Sequence, residues 1–262
     1  MKILAIDTAT SHLSVALLDG DAVLAHTHEE AALSHARLLI RAVDRVLASG
    51  GLTLANLHGL AVSIGPGSFT GLRVGLSTML GFRTVTGLPL AAVPTLEALA
   101  WNVRRPAIAV CPVIHARAGE VYWARYRWDA DGQLHCVQPE CVGPLERLAE
   151  ALEGPTLMVG EGWERHRDAV RRLLGSRNEE IVDAPLHAMA VSAVSVGLVG
   201  RRLLERGENA PIGLAPRYVQ RAEAELNWER RTAGSVPEPL RWTRRQDAAR
   251  ARRAQGSRRR AG

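Results

Sequence analysis

The chain is nearly devoid of lysine: Lys2 is the single one among 33 lysines and arginines. Its basic count is therefore arginine, a bias that reads as genome composition, although a guanidinium does suit bidentate anion contacts. Cysteine is scarce and poorly spaced. Cys111, Cys136 and Cys141 are odd in number and show no CxxC pair, which argues against a disulfide framework and a structural zinc site. Aromatic residues make up 4% of the chain. Long apolar runs are missing too. The best, residues 188–200, stops at Arg201-Arg202 and is too short to span a bilayer. The first residues lead straight into a strand-like Ile3-Leu4-Ala5-Ile6 without a signal-peptide pattern, so a cytoplasmic protein is expected. What remains, 47% hydrophobic and 23% charged over 262 residues, is ordinary for a soluble globular protein with one large domain or two small ones.

The formal charge of +6 is unevenly placed. From Arg241 onward nine arginines face one acid, Asp247, a net +8 that leaves −2 for the rest of the chain. The body is close to neutral and the basicity belongs to a tail. From Gly234 on, Pro, Arg, Ala and Gly dominate, and disorder is expected there.

The densest local signal is Gly65-Pro66-Gly67-Ser68-Phe69-Thr70-Gly71-Leu72-Arg73-Val74-Gly75. It follows the apolar run Leu60–Ile64 and leads into a helical pattern, so it reads as a strand-to-helix turn. Glycines 71, 75 and 81 inside a helix each cost about 1 kcal/mol relative to alanine. Their retention predicts that another backbone approaches the helix closely, and hence a contact surface. The block lacks the Gly-Lys-Ser/Thr ending of a phosphate loop, and Ser68 is not in a GxSxG elbow.

Hydrophobic periodicity predicts strands at residues 2–7, 13–18 and 22–27, with a hairpin at Asp19-Gly20-Asp21 between the last two. A helix capped by Ser34, with Leu33 and Leu38 as a staple, carries Leu38, Leu39, Ala42, Val43, Val46 and Leu47 on one face. A strand at 60–64, the glycine helix at 70–86, a strand at 88–93 and a short helix capped by Thr95 complete the first half. After Arg104-Arg105-Pro106, strands are expected at 107–114, 120–128, 133–138 and 156–159, with helices at 145–152, 163–174 and 190–206. Three strands followed by alternating helix and strand occur in both halves. Two related α/β lobes are expected, residues 1–104 and 105–232, with an Arg-rich tail at 233–262.

Two groupings could carry chemistry. Asp7-Thr8-Ala9-Thr10-Ser11 ends the first strand with an acid and several hydroxyls. Such a turn can cradle phosphate oxygens while the Asp holds hydrated magnesium, or it can be a capped hairpin whose hydroxyls satisfy local backbone. His35 lacks a helical metal partner, since Leu38 and Leu39 occupy the places three and four residues on.

These segments resemble the TsaB (YeaZ) family. The resemblance rests on residues 3–10, Ser14-Val15-Ala16-Leu17, the block at 65–75, Arg117-Ala118-Gly119-Glu120-Val121-Tyr122-Trp123-Ala124-Arg125-Tyr126 and the closing Ala215-Pro216-Arg217-Tyr218-Val219. It runs from Met1 to about Trp228 and leaves out the tail. It implies two RNase H-like lobes of the actin-like ATPase (ASKHA) superfamily. It also implies a non-catalytic partner of TsaD, acting with TsaE to place threonylcarbamoyl on the adenosine 3′ of the tRNA anticodon.

Partner-binding residues are then expected at Leu38, Leu39, Ala42, Gly71, Arg73, Gly75 and Thr78. A possible nucleotide site is expected at Asp7, Thr8 and Thr10, with no metal site. No intrinsic cofactor is expected, although ATP or ADP with magnesium could belong to the complex. Homodimerisation through the same surface and tRNA contact through the tail are further expectations. TsaD's helical His-x-x-x-His has no counterpart, because Leu39 follows His35. The family's usual Asp-Ala-Arg reads His115-Ala116-Arg117 here, which weakens a magnesium role for the second lobe. An actin-like phosphotransferase or ATPase using Asp7 is the alternative. A glycoprotease-like hydrolase ranks last, for want of a nucleophile–base pair.

Overall fold

Among the described residues, ten strands form two five-stranded sheets with one repeated topology. The first sheet comprises β1 (Lys2–Asp7), β2 (His12–Asp19), β3 (Ala22–Glu30), β4 (Gly59–Ser63) and β5 (Leu90–Val93). Its order is β3-β2-β1-β4-β5, with β1–β3 an antiparallel meander and β4 and β5 continuing parallel to β1. The second comprises β6 (Ala109–His115), β7 (Val121–Trp128), β8 (Leu134–Gly143), β9 (Thr156–Val159) and β10 (Ile181–Asp183). Its order, β10-β9-β6-β7-β8, is the first order read from the other edge. Two lobes with the RNase H-like strand order follow from this doubling. The computed structural model describes residues 1–31, 35–117 and 119–218, all within the unit Met1–Gln220. Leu33, Ser34, Ala118, Val219 and the tail at 233–262 lie outside the described residues, and with them the predicted cap, staple and tail.

The helices are α1 (His35–Ser49), α2 (Phe69–Thr86), α3 (Thr95–Ala100), α4 (Leu145–Ala151), α5 (Glu161–Leu174) and α6 (Ala193–Glu205). Strand alternation divides β1 between two cores. Leu4 and Ile6 pack with Leu39, Ala42, Val43 and Val46 of α1 and with Leu76 and Met79 of α2. Ile3 and Ala5 face the other way, into a core that holds Val196 and Val199 of α6 and continues into the second sheet.

The structure departs from the sequence-based expectation at α6 and at Thr95. The helix grouped with the second half, α6, packs on the first sheet, against β1, β2, β4 and β5. Gly200 permits this, because a Cβ there would run into Ala61 of β4. Thr95 is not the cap of α3, since Pro94 holds that position; its Oγ1 accepts from the Gly65 N–H at 3.0 Å and ties the glycine loop down instead. No helix among the described residues is long and apolar enough to cross a membrane.

Candidate functional site

β1 delivers Asp7 to a turn that the chain itself fills. Gly67, Gly71 and Gly75 recur every four residues, and all three meet the β1–β2 turn. A Cβ at Gly67 would collide with the Ala9 carbonyl oxygen, one at Gly71 with the Thr8 carbonyl oxygen, and one at Gly75 with Thr8 Oγ1. Gly67 also has φ 153°, a conformation L side chains avoid. The predicted close approach is therefore real, and the approaching backbone is the chain's own. Hydrogen bonds stitch the same contact: Ser68 N donates to Ala9 O at 2.7 Å, and Thr8 Oγ1 donates to Gly71 O at 2.8 Å. Ser68 then caps α2 by accepting from Gly71 N at 3.2 Å.

Asp7 and Thr8 are fully buried and Thr10 nearly so. Asp7 Oδ2 accepts from Ala9 N at 3.3 Å, while Oδ1 has no hydrogen-bond partner among the described residues. Burial pushes the Asp7 carboxyl up to about 7, against the opposing influence of the Ser63 hydroxyl and the Ala9 N–H, with Glu161 adding to the rise. Thr10 Oγ1 accepts from His12 N at 3.3 Å. A magnesium–nucleotide needs an ionised, reachable carboxylate and free turn donors. Here the acid is buried, Thr8 is already committed and the turn is filled by α2, so these residues do not fit that group. Among the described residues no group of three or more His, Cys, Asp or Glu could hold a metal.

The predicted partner-binding residues divide in two. Leu39, Ala42, Gly71 and Gly75 are buried inside the lobe and serve its own packing. Leu38 and Thr78 are half-buried and Arg73 is exposed. Thr78 Oγ1 donates to Val74 O at 2.9 Å, an intrahelical bond. Arg73 lies 3.9 Å over the Phe69 ring, and its Nε donates to the Tyr218 hydroxyl at 2.9 Å. Tyr218 stacks on Phe69 with ring centroids 4.9 Å apart, and Arg217 N donates to Ile64 O at 2.7 Å. The closing motif thus straps the start of α2. Sequence reasoning missed Ile40 and Phe69, which expose 47% and 37% of their surface on α1 and α2. An isoleucine among Arg37, Arg41 and Asp44 was the available signal.

His35 is buried, with Nε2 3.2 Å from His12 O, a structural bond rather than a ligand position. His115 ends β6 where β1 ends in Asp7. Its Nδ1 lies 3.3 Å from His166 Nε2, and the rings stack at 5.5 Å.

The fold is thus a doubled RNase H-like topology whose first strand-end acid is sealed under a glycine-bearing helix, with no open phosphate turn at that strand end among the described residues. A family model described as "TsaD: tRNA N6-adenosine threonylcarbamoyltransferase" matches residues 27–228. The tRNA threonylcarbamoyladenosine biosynthesis protein TsaB of Escherichia coli K12 is 38% identical over 173 residues, covering 64% of this chain and 74% of that protein. TsaB of Bacillus subtilis 168 is 32% identical over 233 residues, covering 87% and 98%. A crystal structure from Pseudomonas aeruginosa, of a protein similar to the peptidase YeaZ, superposes with TM-score 0.70 at 29% identity, covering 84% of this chain and 99% of that one. The chain belongs to the TsaB (YeaZ) family, within the wider TsaD-type family that the model describes.

Proposed function

We propose that this chain is a non-catalytic partner of a TsaD-type transferase, acting with TsaE in tRNA threonylcarbamoyladenosine formation on the adenosine 3′ of the anticodon. The observation that carries this reading is the filled β1–β2 turn. With Thr8 committed to α2 and Asp7 buried, the chain presents no catalytic acid at the place where an actin-like ATPase would need one. TsaD then transfers the group from threonylcarbamoyl-adenylate, and any ATP, ADP or magnesium that the assembly uses sits outside the Asp7 turn.

The surface offered to TsaD is the outer side of α1 and α2, with Leu38, Ile40, Phe69, Arg73 and Thr78. Exposed apolar groups beside an arginine held by two aromatic rings suit a protein interface. The same side serves a homodimer when TsaD is absent. In this reading residues 1–104 and 105–232 form the two lobes, with α6 returning from the second to cover the first. The tail at 233–262 adds attraction for tRNA, and the complex works in the cytoplasm.

The test is reconstitution. The full chain, TsaD and TsaE are mixed with tRNA, and threonylcarbamoyladenosine is measured with and without the chain, and with Ile40→Asp. Modification is expected to need the chain and to fall with Ile40→Asp, together with loss of TsaD co-elution. Modification by the chain alone, or magnesium-dependent ATP turnover lost on Asp7→Asn, would overturn the proposal in favour of a phosphotransferase.

A further inference from the structure

Adjacent arginines on α6 have opposite surroundings. Arg201 is paired with Asp21 at 2.8 Å and with Glu205 at 2.7 Å. Arg202 has no carboxylate partner among the described residues. Its guanidinium lies 4.5 Å over the Trp101 ring, and Nη1 donates to Gln133 Oε1 at 3.1 Å and to Gly132 O at 3.4 Å. These neutral groups hold the side chain in place without pairing its charge.

Two further arginines converge on the same spot. Arg104 lies 6.0 Å from the centre of the Trp101 ring, and the Arg105 guanidinium packs on Gly132, where a Cβ would stand 2.6 Å from its Cζ. Neither forms an ion pair among the described residues. Asp129, in the same turn as Gly132, is occupied by Gln133 N and His135, and Asp131 pairs with none of the three arginines. Burial and then the like charges of Arg201, Arg104 and Arg105 push Arg202 below its ordinary value, against the pull of Asp21.

The backbone is strained where this happens. Arg105 has φ 52° and stands before Pro106, where residues favour extended backbone. It is the one non-glycine residue at positive φ among the described residues. A glycine would relieve this strain, yet the position holds a long cation that projects into a cluster of its own kind.

We propose that Arg104, Arg105 and Arg202 form an anion-binding ledge that takes the phosphodiester backbone of a folded RNA. Two observations favour a polyanion over a free nucleotide. The charges are spread over two chain segments, and Trp101 is buried, with guanidinium groups beside it rather than a face open for base stacking. The chain up to residue 240 carries a net −2, so a local concentration of three cations without carboxylate partners stands out from a near-neutral body as a place that attracts RNA phosphates. The choice of RNA rests on the tRNA-modification reading above.

The test is a salt titration of the full chain with a tRNA transcript, followed by fluorescence anisotropy. The double variant Arg104→Ser/Arg105→Gly is compared with Arg165→Ser/Arg172→Ser, which removes the same charge from exposed positions on α5. The glycine matches the backbone that Arg105 already adopts, so the melting temperature is expected to hold or rise. Loss of two phosphate contacts is expected to flatten the slope of log K against log salt by about 1.4–1.8. The α5 control should leave the slope unchanged. An equal change in both variants, or in neither, would overturn the ledge. No modification assay enters this titration, so its failure leaves the role beside TsaD standing, and failure of reconstitution leaves the slope measurement intact.

Discussion

The two sheets share a topology and finish their first strands in opposite ways. In both, a helix N-terminus is pressed against the end of the central strand, and in both glycine makes the room. Gly67, Gly71 and Gly75 do this for α2 against β1. Gly162 does it for α5 against β6, where a Cβ would stand 2.6 Å from the Ile114 carbonyl carbon. The groups at the strand ends then diverge. Asp7 is sealed from solvent, and burial raises it until it is half-neutral near pH 7. His115 stays half-exposed beside His166, with Arg165 near both. One architecture thus makes a closed, rigid joint in one lobe and a polar, open joint in the other. A closed joint suits a protein that holds another in shape; an open one is free to titrate.

The largest effect should come from breaking the closed joint. Gly71→Val places a branched side chain on the Thr8 carbonyl oxygen, a backbone atom that cannot give way without moving β1. A loss of about 4 kcal/mol or more, or failure to fold, is expected in urea melts. A near-neutral variant would show that the helix can shift off the turn, and the rigid-joint account would go with it.

Next comes Asp7→Asn, which removes the ionisable group while keeping its shape. A carboxyl raised from 3.8 to about 7 favours folding below pH 3.8, and that contribution is lost as pH climbs through 7. At pH 8 the buried charge costs the wild type on the order of 4 kcal/mol, at roughly 1.36 kcal/mol per pKa unit. The asparagine variant should therefore be the more stable protein at pH 8 and much closer to the wild type at pH 4. Equal differences at both pH values would mean that Asp7 reaches solvent, and a nucleotide role would return to consideration.

How much of this was legible beforehand depended on the kind of signal. Strands β1 and β9 were readable to the residue because short apolar runs end at turn residues. β10 was missed: three residues with one side chain buried leave no periodicity to detect. The glycine helix was read correctly as a place of close approach. Spacing cannot say whose backbone approaches, and so Gly71 and Gly75 were assigned to a partner when Thr8 takes the space. The same gap misplaced α6, since element order does not record which sheet a helix covers. Leu38 and Arg73 keep outward surface because residues adjacent to a buried stripe point aside, whereas Leu39 and Ala42 sit on the stripe itself.

Gly81 tests the glycine argument from the other side. Nothing lies within 4 Å of a Cβ built there, and it sits inside α2. Gly81→Ala should stabilise the fold by about 0.8 kcal/mol through helix propensity alone. A loss of stability would mean that position 81 is covered by a contact as close as the one at Gly71, and the distinction between sealed and open glycines would fail.

The smallest effect belongs to the open joint. Burial, and then the positive charge of Arg165, holds both His115 and His166 below the ordinary histidine value, and the His166 imidazole also disfavours a proton on His115. A histidine depressed by folding stays neutral in the native state while the unfolded chain takes up the proton. Stability is therefore present above the unfolded value of 6.5 and drains away as pH falls below it. His166→Gln removes one of the two depressed groups and relieves the other. Its urea midpoint should approach or overtake that of the wild type between pH 7 and pH 5, by a modest margin because both rings remain in partial contact with solvent. A pH-independent offset between the two proteins would show that the imidazoles pack without titrating against each other, and the second joint would be as inert as the first.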